Sequence, residues 1–430
     1  MAIYRGEVVH GAKDQELVSD KMTAIEEKVV TAILMMMRAR RTASPVSNSD
    51  PHPHFTTVVA PAKLREAQFS DFESVRELKR HWGLTSDSLD NWEHLWRRNP
   101  ALGQMQFDRP IGWVLDVEGR AVGYLGNIST LYRYGDRALT AVTGSGFVVK
   151  PEYRAVSLSL IAAFYRQRSV DLYLTTTAIE AVGKIARAFK AYPLPQKDYE
   201  TVLFWVLQPY PFAQAVMKKL EIRAALSRMT GTFASIAVGT DKILHKRWPR
   251  LYSTNFTVNE IGVSEIGDSF QDLWMTKLNE GQQLLADRSP DSLRWHFDIP
   301  GHKGTTRVLC CYGNGELQGY AVVRTDTDHA TGLRRSVIAD MLAKQNTPEI
   351  LTALWVAAYD HSKCVGSHIL EVLGFPDSVR QVCSQWNPYS RKYPACPFYY
   401  KAADPVLHKA LSDVAVWYAS PFDGDTTLMP

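Results

Sequence analysis

The stretch from Gly146 to Ser159 combines residue types that suit anion binding. It reads GFVVKPEYRAVSLS, in which an apolar strand runs to Val149, a turn follows at Pro151, and a helix is predicted from Ala155. The first turn of a helix has backbone N–H groups without intrahelical acceptors and a partial positive charge, and together these bind phosphate-type anions. The stretch therefore predicts a site for a phosphate-bearing ligand, although polar capping of an ordinary helix would explain the same residues.

Three hydroxyl side chains near this stretch are candidates for proton transfer. Ser145 precedes it on the same predicted strand, Thr177 ends the next predicted strand, and Tyr192 follows the helix after that. A hydroxyl in a cleft can donate a hydrogen bond or relay a proton to a reacting group. We treat Ser145, Thr177 and Tyr192 as candidate catalytic residues. The alternatives are that the serine and threonine mark the solvated face of a strand and that the tyrosine caps the core.

The elements that must position these residues follow a recognisable order. Ser70-Asp71-Phe72 suits the start of a helix, and helices are also predicted at residues 155–168 and 179–189. The helix after the fourth strand must cross over to reach a fifth, which predicts a mixed sheet. The strands are predicted at Thr56 to Leu64, Ile111 to Val117, Ala121 to Ile128, Leu139 to Val149 and Asp171 to Thr177.

A weaker copy of this order recurs downstream. Asp268-Ser269-Phe270 matches Ser70-Asp71-Phe72, and GELQGY at 315–320 matches GRAVGY at 119–124 at nearly the same offset. Two matches at one spacing predict a duplicated domain. The predicted fold class is α+β with two domains, each a mixed central sheet flanked by helices. The ranges are 1–55 for an N-terminal helical extension and linker, 56–240 for the first domain, and 250–430 for the second domain with a C-terminal tail.

The segment VVKPEYRAVSLS resembles the coenzyme-binding turn of the GNAT family of acyltransferases. In that family a turn of the form Q/R-x-x-G-x-G/A follows the fourth strand and holds the pyrophosphate of coenzyme A. Arg154 stands at the first motif position, and Ser157 and Ser159 stand where the family prefers glycine or alanine. Serine adds a Cβ atom where glycine lets the backbone approach a phosphate closely, and it also offers a hydroxyl donor.

The resemblance implies a tandem GNAT protein that uses acetyl-CoA or a longer acyl-CoA as acyl donor. The fourth and fifth strands would splay apart, and the backbone of Phe147, Val148 and Val149 would pair with the pantetheine arm. An amine would then attack the thioester carbonyl directly. The pyrophosphate would be held by the turn residues Arg154, Ala155, Val156, Ser157, Leu158 and Ser159.

The tyrosine that this family often uses to protonate the leaving thiolate is missing from both copies. Its place is four residues before a Gly-Phe pair, in the helix after the fifth strand. The first copy has Arg187 there, before Ala191-Tyr192, and the second has Leu370 before Gly374-Phe375. Tyr192 is therefore considered only as a substitute proton donor.

Three functions follow from these patterns. The leading hypothesis is an N-acyltransferase that acts on an amine of a small molecule, with the first domain catalytic and the second shaping the acceptor cleft. A Fem-like aminoacyl transferase that uses charged tRNA is an alternative, although a net charge of +4 and the lack of a basic helical arm argue against nucleic acid. A catalytically inactive GNAT-like binding or assembly protein is the third.

The composition indicates in which cellular compartment the protein is expected. Five cysteines without a paired spacing favour a reducing compartment, and no apolar run is long enough to span a membrane, so a cytoplasmic location is predicted. Residues 16–40 have apolar side chains at three- and four-residue steps, which predicts an amphipathic helix that packs on the body, forms a homodimer or touches a membrane surface. His361 and His368 lack further ligands at a suitable spacing, so no metal site is predicted.

Overall fold

The structure is a computed structural model that describes residues 60–84, 88–105, 109–177, 180–220, 224–250, 255–300, 304–392 and 397–428. The predicted N-terminal helix at 16–40 and most of the linker after it lie outside these residues. Helices and two mixed sheets make up the described part, in agreement with the predicted α+β class. Within the described part, none of the helices has both the length and the apolar character needed to cross a membrane.

The first half of the chain begins with a strand and three helices and then forms most of the first sheet. Its elements are β1 Lys63–Glu66, α1 Phe72–His81, α2 Leu89–Trp96, α3 Pro100–Gln104, β2 Gly112–Val117, β3 Arg120–Tyr134, β4 Arg137–Val149, α4 Leu158–Tyr165, β5 Leu172–Thr175, α5 Glu180–Ala188, β6 Tyr192–Pro193, β7 Thr201–Val206, α6 Pro209–Lys219 and α7 Ala224–Leu244.

The second half repeats a similar succession of strands and helices. Its elements are β8 Thr257–Ile261, α8 Asp268–Leu278, β9 Leu284–Ala286, α9 Pro290–Phe297, β10 Thr306–Gly313, β11 Glu316–Asp328, β12 Leu333–Ala343, α10 Pro348–Cys364, β13 Ile369–Val372, α11 Asp377–Ser384, β14 Tyr389–Lys392, β15 Tyr399–Ala402 and α12 Pro405–Leu411.

The helix predicted at 155–168 is shorter than expected. A 3-10 helix at Pro151–Val156 comes first, and α4 begins only at Leu158. The Ser157 amide donates to the Arg154 carbonyl at 3.2 Å, a bond between residues three apart that tightens the entry to the helix. The motif region therefore consists of two tight turns rather than the first turn of a long helix.

Each sheet borrows one strand from the opposite half of the chain. The first sheet has the order β1-β2-β3-β4-β5-β15-β6, with β9 paired to β3, and the second has the order β14-β7-β13-β12-β11-β10-β8. β7 thus lies in the second sheet and β15 in the first. The predicted domain ranges 56–240 and 250–430 therefore do not each correspond to one sheet. Whether these two ranges are separate domains remains a prediction.

In both sheets the parallel central pair diverges. β4 pairs with β5 only from Ala141–Leu172 to Thr143–Leu174, and β12 pairs with β13 only from Arg335–Ile369 to Val337–Glu371. β4 and β12 both continue well beyond these contacts. We call the space between β4 and the end of β5 the first gap, and the space between β12 and the end of β13 the second gap.

The C-terminal residues 417–428, called the tail below, fill the second gap. The Tyr418 hydroxyl donates to the Met341 carbonyl on β12 at 2.7 Å, and the Phe375 amide, just after β13, donates to the Ala419 carbonyl at 3.0 Å. Both tail residues are buried. The tail therefore bridges the two strands where their own pairing has stopped.

A buried ion pair fixes the next part of the tail. Arg288 and Asp340 both have fully buried side chains, and the guanidinium Nε donates to a carboxylate oxygen at 3.0 Å. The Asp423 carboxylate of the tail lies 3.8 Å from the same guanidinium. Two charges buried this deeply are stable only as a pair, because the protein interior does not solvate either charge as water would.

We expect Arg288→Met to destabilise the protein strongly, because it leaves Asp340 and Asp423 buried without a cation. Removal of one partner of a buried pair costs about 3–5 kcal/mol. Arg137→Met is the matched control, since Arg137 makes a half-exposed ion pair with Asp171. Urea denaturation would measure both variants. Equal losses of unfolding free energy would contradict the importance of the buried pair.

Candidate functional site

A cavity of about 670 Å³ passes through the first gap. Leu125 and Phe164 line it from the face of the first sheet that packs against α4. Trp82 and Leu84, which follow α1, line it from the opposite face together with Asp425 of the tail. A ligand held in this cavity would therefore be accessible to chemical groups from both faces of the sheet.

The β4 side of the cavity contains a bulge. The register between β3 and β4 shifts between Tyr124 and Gly126, and Gly146 has a φ of +64°. A Cβ atom on Gly146 would lie 2.9 Å from Cε of the buried Lys79 side chain, so both the dihedral and the space favour glycine here. Phe147, Val148 and Val149, which follow the bulge, line the cavity. That their backbone pairs with a pantetheine arm remains a prediction.

Asp425 places a carboxylate at the tail side of the cavity. The side chain is buried and accepts hydrogen bonds from Thr176 Oγ1 at 2.8 Å, from Thr177 Oγ1 at 3.0 Å and from Ser145. Burial raises the pKa of this carboxyl above its ordinary value, since these neutral donors compensate the loss of water only in part. A carboxylate with a raised pKa in a cavity is suited to accept a proton.

Gly424 allows the tail to bring Asp425 this close. It has a φ of +89°, and a Cβ atom on it would lie 2.3 Å from Thr176 Oγ1. An L-residue side chain would therefore meet both an unfavourable backbone conformation and a collision with a buried threonine. Glycine is required here because the tail runs directly against the end of β5.

The predicted pyrophosphate turn lies at the rim of the cavity. Arg154 and Ser157 line it, and the Arg154 guanidinium lies 5.5 Å from the centre of the Trp82 ring. The Ser157 and Ser159 hydroxyls donate to the carbonyls of residues Arg154 and Val156, both at 2.7 Å. Their hydrogens are thus used inside the turn. The remaining predicted turn residues, Ala155, Val156 and Leu158, are exposed and lie outside the cavity wall.

The structure brings two of the three predicted catalytic hydroxyls together and separates the third. Ser145 and Thr177 both bond to the Asp425 carboxylate. Tyr192 is 44% exposed, its ring stacks on His408 at 4.2 Å, and its strand β6 is separated from β5 by β15. Tyr192 is not among the described residues that line the cavity.

Two residues of the cavity were not singled out from the sequence. Asp425 lies 249 positions from Thr176, so no local pattern connects the two residues. Tyr165 lines the α4 side, where its hydroxyl lies 3.3 Å from Thr175 Oγ1 and burial raises its pKa. The only sequence signal for the carboxylate was the glycine before it, which marks a close approach of backbone.

Gly424→Ala tests whether the tail depends on this approach. We expect faster hydrogen exchange at tail amides, because a Cβ would collide with Thr176 and displace Asp425. Gly315→Ala is the matched control: Gly315 has a φ of +82° in a hairpin turn, and a Cβ there would meet nothing within 4 Å. Hydrogen exchange with mass spectrometry measures both. Unchanged tail exchange in Gly424→Ala would contradict the tight fit.

Comparison with known proteins shows which structures this chain resembles in fold, but it does not show an activity. Neither family models nor curated protein sequences match the chain. A GCN5-related N-acetyltransferase structure from Anabaena variabilis aligns over 80% of this chain and 73% of its own, with a TM-score of 0.51 and 9% identity. A probable N-acyltransferase from Enterococcus faecalis aligns over the same shares, with a TM-score of 0.50 and 8% identity. The chain is thus similar in fold to N-acetyltransferase structures.

Proposed function

We propose that this protein is an acyl-CoA-dependent N-acyltransferase that acylates an amine of a small molecule. The observation that carries the proposal is the cavity through the first gap, which has a buried carboxylate on one face of the sheet and an open apolar wall on the other. Fold similarity alone would not justify an activity. The arrangement of a diverging parallel pair and a proton acceptor beside it does support one.

The residues of the cavity suit a long, partly apolar acyl donor. Its volume of about 670 Å³ lies within the range of ligand pockets. In this proposal the β4 backbone at Phe147, Val148 and Val149 pairs with the amide groups of the pantetheine arm. Arg154, with the backbone amides of the turn up to Ser159, holds the phosphates at the rim. Acetyl-CoA and longer acyl-CoAs are the donors to test.

The proposed reaction is direct transfer from a thioester to an amine. The amine nitrogen forms a bond to the carbonyl carbon, the carbon–sulfur bond breaks, and the sulfur takes the electron pair. The Asp425 carboxylate accepts the proton that the amine loses, held in place by Ser145, Thr176 and Thr177. Its raised pKa brings it closer to the pH at which a general base works best.

The leaving thiolate needs a proton on the other face of the sheet. Tyr165 is placed to donate it, because it lines that side of the cavity and carries a hydroxyl proton at neutral pH. This assignment takes the place of Tyr192, whose position offers no contact with the cavity. Ser145 and Thr177 become ligands of the proton acceptor rather than reacting groups.

We further propose that the chain arose by duplication of a GNAT-like domain and that only the first copy binds the acyl donor. The two divergent parallel pairs support the duplication. Tyr418 and Ala419 take the place between β12 and the end of β13 that a coenzyme would need in the second copy. The second copy would then serve the first one, as a shaping part of the acceptor cleft.

An inactive binding protein is the second candidate. The observation in its favour is that the Ser157 and Ser159 hydroxyls are closed on carbonyls of their own turn, so they present no hydrogen to a phosphate. Such a protein would bind the coenzyme without turnover, or would bind no coenzyme at all. The two experiments below separate these outcomes from an enzyme.

Acetyl-CoA should raise the melting temperature of the protein. A ligand at a hundred times its dissociation constant adds about 2.7 kcal/mol to stability. Ala181→Trp should abolish the shift, because Ala181 lies in the cavity wall on α5. Ala188→Trp on the same helix is the matched control, since Ala188 is exposed and outside the wall. Absence of a shift with acetyl-CoA and with longer acyl-CoAs would refute the proposed donor.

Asp425→Asn should abolish most turnover while acetyl-CoA still binds. Loss of a general base typically costs about 100- to 10,000-fold in rate. In the native protein kcat/KM should rise with pH through the raised pKa of Asp425, because only the ionised form accepts a proton; the variant should lack this limb. Thiol release from acetyl-CoA with a panel of primary amines measures both. An unaltered pH profile in the variant would contradict the assigned role.

A further inference from the structure

The cluster around Arg288 joins parts of the chain that are far apart in sequence. Arg288 Nε and Nη2 donate to the two Asp340 carboxylate oxygens of β12 at 3.0 and 3.1 Å, and Nη2 also donates to Ser420 Oγ at 3.2 Å. Its Nη1 donates to the Ala286 carbonyl at 3.1 Å. Ala286 in turn pairs with Tyr132 of β3. The guanidinium therefore connects the second sheet, the tail and an extension of the first sheet.

Asp423 is the tail residue held at this junction. Its carboxylate accepts from the Ser420 amide at 2.8 Å and from the Tyr132 hydroxyl at 2.8 Å, and it lies 3.8 Å from Arg288. These partners come from the tail itself, from β3 and from the second half. Asp423 thus has a fixed position relative to both sheets.

A connection of one residue links this junction to the first gap. Gly424 is the single residue between Asp423 and Asp425, and the tail passes so close to Thr176 at this point that a Cβ atom on Gly424 would collide with it. A shift of Asp423 would therefore reach Asp425 over a single residue and disturb its contacts with the end of β5. Because Arg288 and Asp340 belong to the second half, that half acts on a carboxylate in the cavity of the first.

We propose that Arg288, Asp340 and Tyr132 are positioning residues that hold Asp423 so that Asp425 stays in the first gap, shielded from water, and that this is the contribution of the second half to the reaction. The inference rests on the proposed function for its catalytic part only. The holding of the tail is a separate, structural statement. A purely stabilising cluster would leave the protonation of Asp425 unaffected once the protein is folded.

The groups around Asp425 determine how its pKa would change if the tail became looser. The hydroxyls of Ser145, Thr176 and Thr177 bond to it. Among the residues that the structure describes, the charged or titratable side chains of this region include Arg154 and Tyr165 in the cavity wall, Lys79 and Tyr124 beside Gly146, and Asp423 in the tail. Burial is the main cause of the raised pKa of Asp425, so a tail that admits water should lower that pKa toward its ordinary value.

Tyr132→Phe is the test variant, because it removes one hydrogen bond to Asp423 and keeps the aromatic ring in a buried site. Tyr400→Phe is the matched control. Tyr400 is equally buried, and its hydroxyl donates to the Leu411 carbonyl, away from Asp423. Carboxyl ¹³C NMR of aspartate-labelled protein, with Asp425 assigned by its loss in Asp425→Asn, measures the pKa of Asp425 in the full chain.

We expect the pKa of Asp425 to fall in Tyr132→Phe and to stay unchanged in Tyr400→Phe. In turnover, kcat of Tyr132→Phe should fall by about tenfold or more through misplacement of the base, with acetyl-CoA affinity unchanged by calorimetry. An unchanged pKa in Tyr132→Phe, or equal changes in both variants, would overturn the inference. If acetyl-CoA fails to bind the native protein, the proposed function fails, while the NMR titration still decides whether the tail is held in this way.

Discussion

The fold depends on one buried charge cluster, in which Arg288 pairs with Asp340 of the second sheet and lies 3.8 Å from Asp423 of the tail. Neither carboxylate has water to solvate it, so the guanidinium determines where the tail runs. From this point the tail fills the second gap on one side, through Tyr418, and enters the first gap on the other, through Asp425. One interaction thus makes two similar sheets unequal: the second gap is filled by the tail, and the first retains a cavity.

The exchange of strands explains why the halves form one unit. β7 completes the second sheet and β15 the first, and one hydrophobic cluster contains side chains from both sheets and from the tail. A site assembled from such parts needs both halves, because its wall comes from β4 and α4 and its carboxylate comes from the last residues of the chain. The exchange of strands between the two sheets thus brings a distant segment to the gap between β4 and β5.

The elements that could be predicted from the sequence are those that depend on local residue patterns. The strand up to Val149, the turn near Arg154 and the repeated hairpin at 119–124 and 315–320 all have local signals, and the structure has strands and turns there. The start of α4 was placed too early, because Pro151 begins a 3-10 turn whose bonding has no distinct sequence pattern. Asp425 was missed as a site residue, since its role depends on contacts with Ser145 and Thr176 that only the tertiary fold creates.

We propose that the first gap binds the acyl donor with its thioester beside Asp425. A crystal structure of the protein soaked with coenzyme A would test it most directly. We expect pantetheine density along β4 from Gly144 to Val149, with the sulfur in the first gap and the phosphates near Arg154. Coenzyme bound elsewhere, or density that leaves the sulfur remote from the Asp425 carboxylate, would contradict the account.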